Sequence, residues 1–241
     1  SFGLLLGNFS IPISLILLTF YRFCVEKTPS HNTQIAFGLL LGWITIKPQF
    51  VWAFLLLILL FAMQRKYTPL LLSLPISVLL WAGLGWLLAP GWPMQWATRI
   101  IEYAAYVQSQ PVITLAFPFL PSVLRSTLLI GSALAAILLS IRLMHSFSQQ
   151  RGSLLLLFSW AGLITFLFHP HGMAYEQNAF LLPFALWGVS TLRSHPQQRI
   201  WWWAMLACTW LAFILGLSYP PADVWPIFLY LGWWIWLFRR R

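Results

Sequence analysis

Charged residues are scarce in this sequence, and acidic residues are the scarcest. Asp and Glu together number 4 among 241 residues, and all charged residues make up 7% of the chain. A typical water-soluble domain carries about 25% charged residues, so this composition excludes an ordinary soluble enzyme or binding domain. Apolar residues supply 60% of the chain and its mean hydropathy is +0.80. The sequence therefore predicts an all-α, polytopic bundle of membrane helices.

Cysteine is nearly absent as well. The separation of Cys24 and Cys208 fits neither a disulfide framework nor a metal site. A glycine-rich nucleotide-binding motif is also missing, so we expect no cofactor and no metal. The net charge of +10 is scattered among short loops beside apolar segments, where it serves topology. We therefore expect no nucleic-acid partner, and a contact of residues 239–241 with anionic membrane lipids fits better.

Helix breakers and charges divide the chain into apolar helices, with about 17–25 residues expected for a full membrane crossing. We predict these helices at residues 9–23, 35–46, 49–63, 68–89, 122–143, 153–168, 176–192, 200–218 and 225–238, with an external loop at 90–121. Together they form a single multispanning domain over residues 1–241. Because the chain opens with Ser1 inside an apolar stretch, we expect it to be the carboxy-terminal part of a longer protein.

The most informative feature is Lys47-Pro48-Gln49, which interrupts the apolar run 35–63. A charged residue at the bilayer centre costs about 3 kcal/mol or more, so it is a candidate functional site. Proline removes a backbone donor and disfavours helical geometry at the preceding residue, so we expect a helix break beside Lys47. Either one long kinked helix or two short helices would satisfy this pattern. At a helix end, Lys47 could also simply snorkel to the membrane surface.

The distribution of basic residues favours two short helices arranged as a hairpin. The hairpin places eleven of the 14 basic residues on one face, namely Arg22, Lys27, Arg65, Lys66, Arg142, Arg151, Arg193, Arg199, Arg239, Arg240 and Arg241. That face is cytoplasmic by the positive-inside tendency, and so is the C-terminus. Glu26 also lies on the cytoplasmic face, so the external face receives the remaining charges, which are Lys47, Arg99, Arg125, Glu102, Glu176 and Asp223.

Polar residues that topology does not explain are densest in segment 169–178 (HPHGMAYEQN). This segment joins two short spans, so it fits irregular backbone lining a wet cavity in the outer half of the membrane. His169 and His171 flank a proline and lack a third ligand at metal-site spacing, so we interpret them as interface histidines. Glu176 could instead cap the helix that follows, which acidic residues favour.

Three stretches carry a resemblance to a known family. They are residues 7–10 (GNFS), residues 38–49 (GLLLGWITIKPQ), and Pro170 followed by 175–177 (YEQ) and 181–183 (LLP). Across most of residues 3–190, the chain resembles the carboxy-terminal half of glycosyltransferase family 87. These are multispanning enzymes of the GT-C superfamily, similar to polyprenyl-phosphate-mannose-dependent mannosyltransferases. The family commonly has Gly-Gln at Gly7-Asn8 and Tyr-Asp-Gln at Tyr175-Glu176-Gln177, and both departures keep the chemical type.

This resemblance implies transfer of a hexose, such as mannose, from a polyprenyl-phosphate sugar donor to an unidentified glycan or lipid acceptor. The reaction would take place on the external face of a bacterial plasma membrane. Donor-phosphate and substrate contacts would come from Asn8, Lys47, Gln49, Tyr175, Glu176 and Gln177, which we expect to line one outer cavity. In such enzymes the base is typically an acidic residue in the first external loop, which would lie upstream of Ser1. Glu102 and Glu176 are substitutes within this chain.

Two other function classes stay open. A transporter or lipid flippase would also use a broken helix with an intramembrane cation, but many such proteins contain an internal repeat. Lys47-Pro48-Gln49 has no counterpart in the second half of the chain. A non-catalytic scaffold would explain the apolar bulk but not the polar residues on the external side.

Overall fold

The computed structural model describes residues 10–25, 29–45, 48–106, 111–148, 154–168, 198–216, 218 and 225–239. Within these residues the regular secondary structure is helical, which confirms the all-α expectation. The helices are α1 (Ser10–Val25), α2 (His31–Ile44), α3 (Pro48–Gln64), α4 (Thr68–Leu88), α5 (Trp92–Tyr106), α6 (Val112–Leu115), α7 (Ser122–Ser148), α8 (Leu154–Leu167), α9 (Gln198–Gly216) and α10 (Pro226–Arg239).

The predicted apolar helices agree closely with α1–α4 and α7–α10. Their ends differ most at α7, which was predicted to end at residue 143 and ends at Ser148. The helix predicted at 176–192 lies outside the described residues. Segment 90–121, predicted as an external loop, contains α5 and α6. Pro93 lies in the first turn of α5, where a missing N–H costs no helical hydrogen bond.

The chain divides into two compact units, residues 15–109 and residues 1–14 with 110–241. In the first unit, α2 begins after Ser30, whose Oγ accepts a hydrogen bond of 3.2 Å from the Thr33 amide. This N-cap satisfies one of the amides left without a partner at a helix start. Helix α2 ends at Ile44 and α3 begins at Pro48, and proline is favoured at a first helical position. The break beside Lys47 therefore separates two helices.

Helices α2 and α4 pack side by side in a parallel arrangement. Gly38 lies against Ser73, and Gly42 lies against Ser77. The sequence offset is 35 residues at both contacts (73 − 38 and 77 − 42), so the two helices run in the same direction. Helix α3 joins them and must carry the chain back, over 17 residues that span about 25 Å. This arrangement favours the hairpin over one long kinked helix.

An aromatic cluster joins α1, α2 and the α3–α4 turn at the end of the hairpin that lies away from the helix break. The Phe23 ring lies 4.6 Å from the Phe37 ring and 5.7 Å from the Tyr67 ring, measured between centroids. Phe20 packs edge-on against Phe61 at 6.4 Å. Such aromatic pairs add about 0.5–1.5 kcal/mol each beyond the area they bury. The end of α1, the first turns of α2 and the α3–α4 turn therefore meet at one end of the unit.

This end also collects basic residues. Arg22 is in the last turn of α1, and Arg65 and Lys66 form the turn between α3 and α4. The Arg65 guanidinium lies 5.7 Å from the Phe61 ring centroid, a cation–π contact. The basic residues thus lie at one end of the hairpin, and the helix break lies at the other end. The hairpin prediction requires this arrangement.

In the second unit, tryptophan side chains connect α7, α8 and α10. The Trp160 indole donates a hydrogen bond of 2.8 Å to Ser140 Oγ, and the Trp234 indole donates one of 3.1 Å to the Leu156 carbonyl. The Trp160 and Trp234 rings lie 4.7 Å apart. Nearly every residue of α8 from Leu156 onward is buried, as expected for a helix that is apolar on all sides.

Two of the described helices, α4 over Thr68–Leu88 and α7 over Ser122–Phe147, are long and apolar enough to cross a membrane by length and composition. A core helix of a water-soluble protein passes the same test but is mostly buried, whereas 22% of the α4 window and 6% of the α7 window are buried. The exposed surface of both helices therefore suits a lipid environment, as hydrocarbon does not penalise apolar side chains.

We predict that the two ends of α3 face opposite sides of the membrane. With Cys24 and Cys208 replaced by serine, a cysteine at Lys47 should react with a membrane-impermeant maleimide added to intact cells, because the predicted water-filled outer cavity would admit the reagent. A cysteine at Arg65 should react only after the cells are permeabilised. Arg22→Cys is the matched control, because Arg22 lies at the same end as Arg65 and should behave in the same way. Labelling at position 65 from outside would contradict the hairpin topology.

Candidate functional site

The predicted site is centred on the break between α2 and α3. Gln49 lies in the first turn of α3, and Glu102 lies on α5. Asn8, Lys47, Tyr175, Glu176 and Gln177 lie outside the described residues, as does the predicted cavity that they would share. The structure therefore describes α2, which ends before the break, and α3, which begins after it. The positions of these two helices determine where the break lies.

Close packing of α2 on α4 positions the break. A Cβ atom added at Gly42 would collide with Ser77 and lie 3.0 Å from the Leu74 carbonyl oxygen. A Cβ at Gly38 would collide with the Ser73 hydroxyl. Glycine is thus favoured at both positions because the serine side chains of α4, and the α4 backbone behind them, leave no space for a larger side chain. Small residues four apart allow this close approach of helices in membranes.

A hydrogen bond between the two helices reinforces this contact. Ser77 Oγ donates to the Leu39 carbonyl over 2.7 Å, and it is buried. Thr45 then closes the last turn of α2, since both its amide and its hydroxyl donate to the Gly42 carbonyl, over 3.3 Å and 2.6 Å. The end of α2 is therefore fixed on α4 immediately before the break. Inter-helical hydrogen bonds in membranes contribute about 0.6 kcal/mol on average.

The parallel register gives the depth of the break along α4. With the offset of 35 residues, Thr45 lies at about the level of Leu80 (45 + 35), and α4 continues to Leu88. These last eight residues of α4 rise about 12 Å above the end of α2. Helix α4 as a whole has 21 residues and is about 30 Å long, close to the thickness of the hydrocarbon core. If α4 spans the membrane, the break lies inside the hydrocarbon region and not at its surface.

Ser73 and Ser77 are the important residues that the sequence did not reveal. They are two serines four residues apart in an apolar helix, the same spacing as Gly38 and Gly42. That spacing was the available signal. The spacing indicates a helix contact only when α2 and α4 are known to pack together. Serines in membrane helices commonly form hydrogen bonds with their own backbone, so two serines alone do not predict such a contact.

Glu102 lies on the exposed polar side of α5. Its carboxylate forms an ion pair of 3.2 Å with Arg99, one turn earlier, and the two side chains are 56% and 83% exposed. Such surface pairs contribute about 0.2–1 kcal/mol. A role for Glu102 as general base stays a prediction, because its position relative to the donor site depends on residues outside the described part.

An apolar groove with a volume of about 440 Å³ lies in the second unit, between α9 and α10. Its lining includes Leu211, Ala212, Trp225 and Phe228. These side chains suit a hydrocarbon chain and include no cationic group for a phosphate, so we do not take the groove as a candidate for the reaction centre. Among the described residues, no group of three His, Cys, Asp or Glu side chains could hold a metal ion.

Comparison with known proteins does not assign this chain to a family. No protein-family model, curated protein or solved structure matches it. The chemical argument for a function therefore depends on the sequence motifs and on the position of the helix break.

Proposed function

We propose that this chain forms the donor-binding part of a multispanning membrane glycosyltransferase. The enzyme transfers a hexose, such as mannose, from a polyprenyl-phosphate donor on the external side of the plasma membrane to a glycan or lipid acceptor. The observation that carries the proposal is the level of the break between Ile44 and Pro48, about 12 Å short of the end of α4. A charged lysine at this depth, directly after α2, has an unfavourable free energy unless an anion or a water-filled cavity lies beside it.

The chemistry of the break suits a phosphate group. Helix α3 begins at Pro48, so its first backbone amides have no intrahelical partner and carry the positive end of the helix dipole. Helix N-termini commonly bind phosphate for this reason. Lys47 immediately precedes this N-terminus in the chain and adds a full positive charge. In glycosyl transfer, both would stabilise the negative charge that develops on the departing polyprenyl phosphate.

The other predicted residues have supporting roles in this proposal. Asn8 and Gln49 would orient the phosphate or the sugar through their amide groups, and Tyr175, Glu176 and Gln177 would complete the wall of the cavity. A base is needed to activate the acceptor hydroxyl. Within residues 1–241, Glu102 and Glu176 are the candidates for this base.

Transport of an anionic lipid is the second candidate function, because a broken helix near the membrane midplane is also typical of carriers. The two functions differ in the fate of the donor. A glycosyltransferase cleaves the bond between the sugar and the phosphate, whereas a flippase moves the intact lipid from one leaflet to the other.

A donor-cleavage assay tests the proposal. Membrane vesicles that contain the complete protein would be supplied with mannosyl phosphopolyprenol carrying tritium in the sugar, together with membrane extract as the source of acceptor. We expect labelled sugar in the acceptor fraction and an equal amount of free polyprenyl phosphate, both dependent on the protein. An intact donor that becomes accessible from the opposite leaflet would instead support transport, and an unchanged donor in its original leaflet would contradict both functions.

A further inference from the structure

Helix α5 differs from the apolar helices around it because its polar residues share one side. At about 100° per residue, Gln95, Thr98, Arg99 and Glu102 fall within an arc of about 100°, which we name the polar face. Trp96 and Ala97 fall on the opposite side, which we name the apolar face, and the sequence continues this pattern with Ile100 and Ile101. This is the pattern of a helix with one side in water and the other in an apolar medium.

Large apolar side chains of α5 are uncovered. Met94 is 75% exposed and Trp96 is 48% exposed. The polar face is exposed as well, with Arg99 and Glu102 paired to each other. Among the residues whose exposure the structure describes, Trp96 on the apolar face is thus open and Ala97 is partly covered, and an exposed apolar side chain favours a partner that is not water.

The start of α5 is fixed beside the last turns of α4. Gly91 has a φ of 83°, a conformation that glycine adopts without strain, and it turns the chain between the two helices. The Trp92 indole donates a hydrogen bond of 3.3 Å to the Ala82 carbonyl. A Cβ atom at Gly85 would lie 3.0 Å from the same indole nitrogen. Helix α5 therefore begins at the end of a helix of membrane-spanning length.

We propose that α5 lies in the plane of the membrane–water interface, with its apolar face against lipid acyl chains and its polar face in water. The occupant of the apolar face is the lipid bilayer, because α5 continues directly from α4, and tryptophans such as Trp92 and Trp96 are typical of headgroup level. This inference rests on the membrane-spanning role of α4 in the proposed function. It adds an interfacial anchor that fixes the level of α4, and hence of the helix break, in the bilayer.

The charges of α5 indicate how it binds. Arg99 and Glu102 compensate each other, so attraction to anionic lipids contributes little, and burial of apolar surface provides the binding. Interfacial helices place their apolar face about 5–10 Å into the boundary between headgroups and acyl chains. The depth of α5 should therefore be the same in neutral vesicles and in vesicles with anionic lipid.

Spin-label accessibility tests this placement. The complete protein, with Cys24 and Cys208 replaced by serine, would carry a nitroxide at Ala97→Cys on the apolar face or at Gln95→Cys on the polar face. Leu80→Cys, on the exposed side of α4, is the reference for the bilayer interior. Vesicles would contain phosphatidylcholine alone or with one third phosphatidylglycerol. We expect the ratio of oxygen to water-soluble nickel-chelate accessibility to be several-fold higher at position 97 than at position 95, and highest at position 80, in both lipids.

Three outcomes can be separated by these labels. Equal ratios at 95 and 97 with a deep label at 80 would overturn the interfacial placement and leave the membrane-spanning role of α4 intact. Low accessibility to both reagents at 97 would also overturn it, because protein would then cover the apolar face. A water-exposed label at 80 would instead remove the premise and count against the proposed function itself.

Discussion

Replacement of Lys47 by alanine is expected to lower the rate of hexosyl transfer by the complete protein roughly 30- to 1,000-fold. This corresponds to a loss of about 2–4 kcal/mol of transition-state stabilisation, the usual cost of removing one group that stabilises developing charge. The charge of Lys47 has a large effect in this proposal because the break lies within the hydrocarbon region, where electrostatic interactions are strong. The rate would be measured by transfer of tritium from the sugar-labelled donor to the acceptor fraction.

Lys66→Ala is the matched control for Lys47→Ala. Both residues are lysines beside an end of α3, but Lys66 lies at the opposite end, in the exposed turn before α4. Removal of its charge should change the transfer rate less than about twofold, since exposed charges are screened by water and salt. Size-exclusion chromatography of both variants would confirm that they fold. Equal activity of Lys47→Ala and the unmodified protein would reduce Lys47 to a snorkelling residue.

Gly42→Leu is expected to separate α2 from α4 and to destabilise the first unit. The obstruction includes the Leu74 carbonyl, 3.0 Å from the added Cβ position, and backbone cannot move aside as a flexible side chain can. Overpacking typically costs about 1–3 kcal/mol, and at backbone contacts we expect the upper part of this range. The measurement is the midpoint of thermal unfolding of the complete protein in detergent.

Gly83→Leu provides the control for this substitution. Gly83 lies on α4, in the same unit, but an added Cβ would have no heavy atom within 4 Å, so the unfolding midpoint should hardly change. Gly42→Ala combined with Ser77→Gly should recover part of the stability that Gly42→Ala loses, because the second substitution removes the nearest obstructing side chain. Equal destabilisation by leucine at positions 42 and 83 would contradict the packing argument, since helix propensity by itself favours leucine over glycine at both positions.

The sequence determined the all-α class and most helix positions, because long apolar runs and their breakers act locally. Apolar residues between 48 and 64 or between 154 and 167 have few alternatives to a helix in a chain of this composition. The break beside Lys47 was also predictable, since Pro48 restricts the residue before it and lacks an amide of its own. The amphipathic pattern of α5 was also present in the sequence, within the segment 90–121 that was predicted as an external loop.

The tertiary structure alone decided how α2 and α4 are related and therefore where the break lies along the length of α4. Gly38 and Gly42 are small residues in any apolar helix; they become contact points only because Ser73 and Ser77, 35 residues later, present matching small side chains. Helical periodicity describes one helix at a time and contains no information on which helix packs against which, or in what direction. The choice between a kinked helix and a hairpin, and the separation of the helix break from Lys66, thus depended on packing between helices distant in sequence.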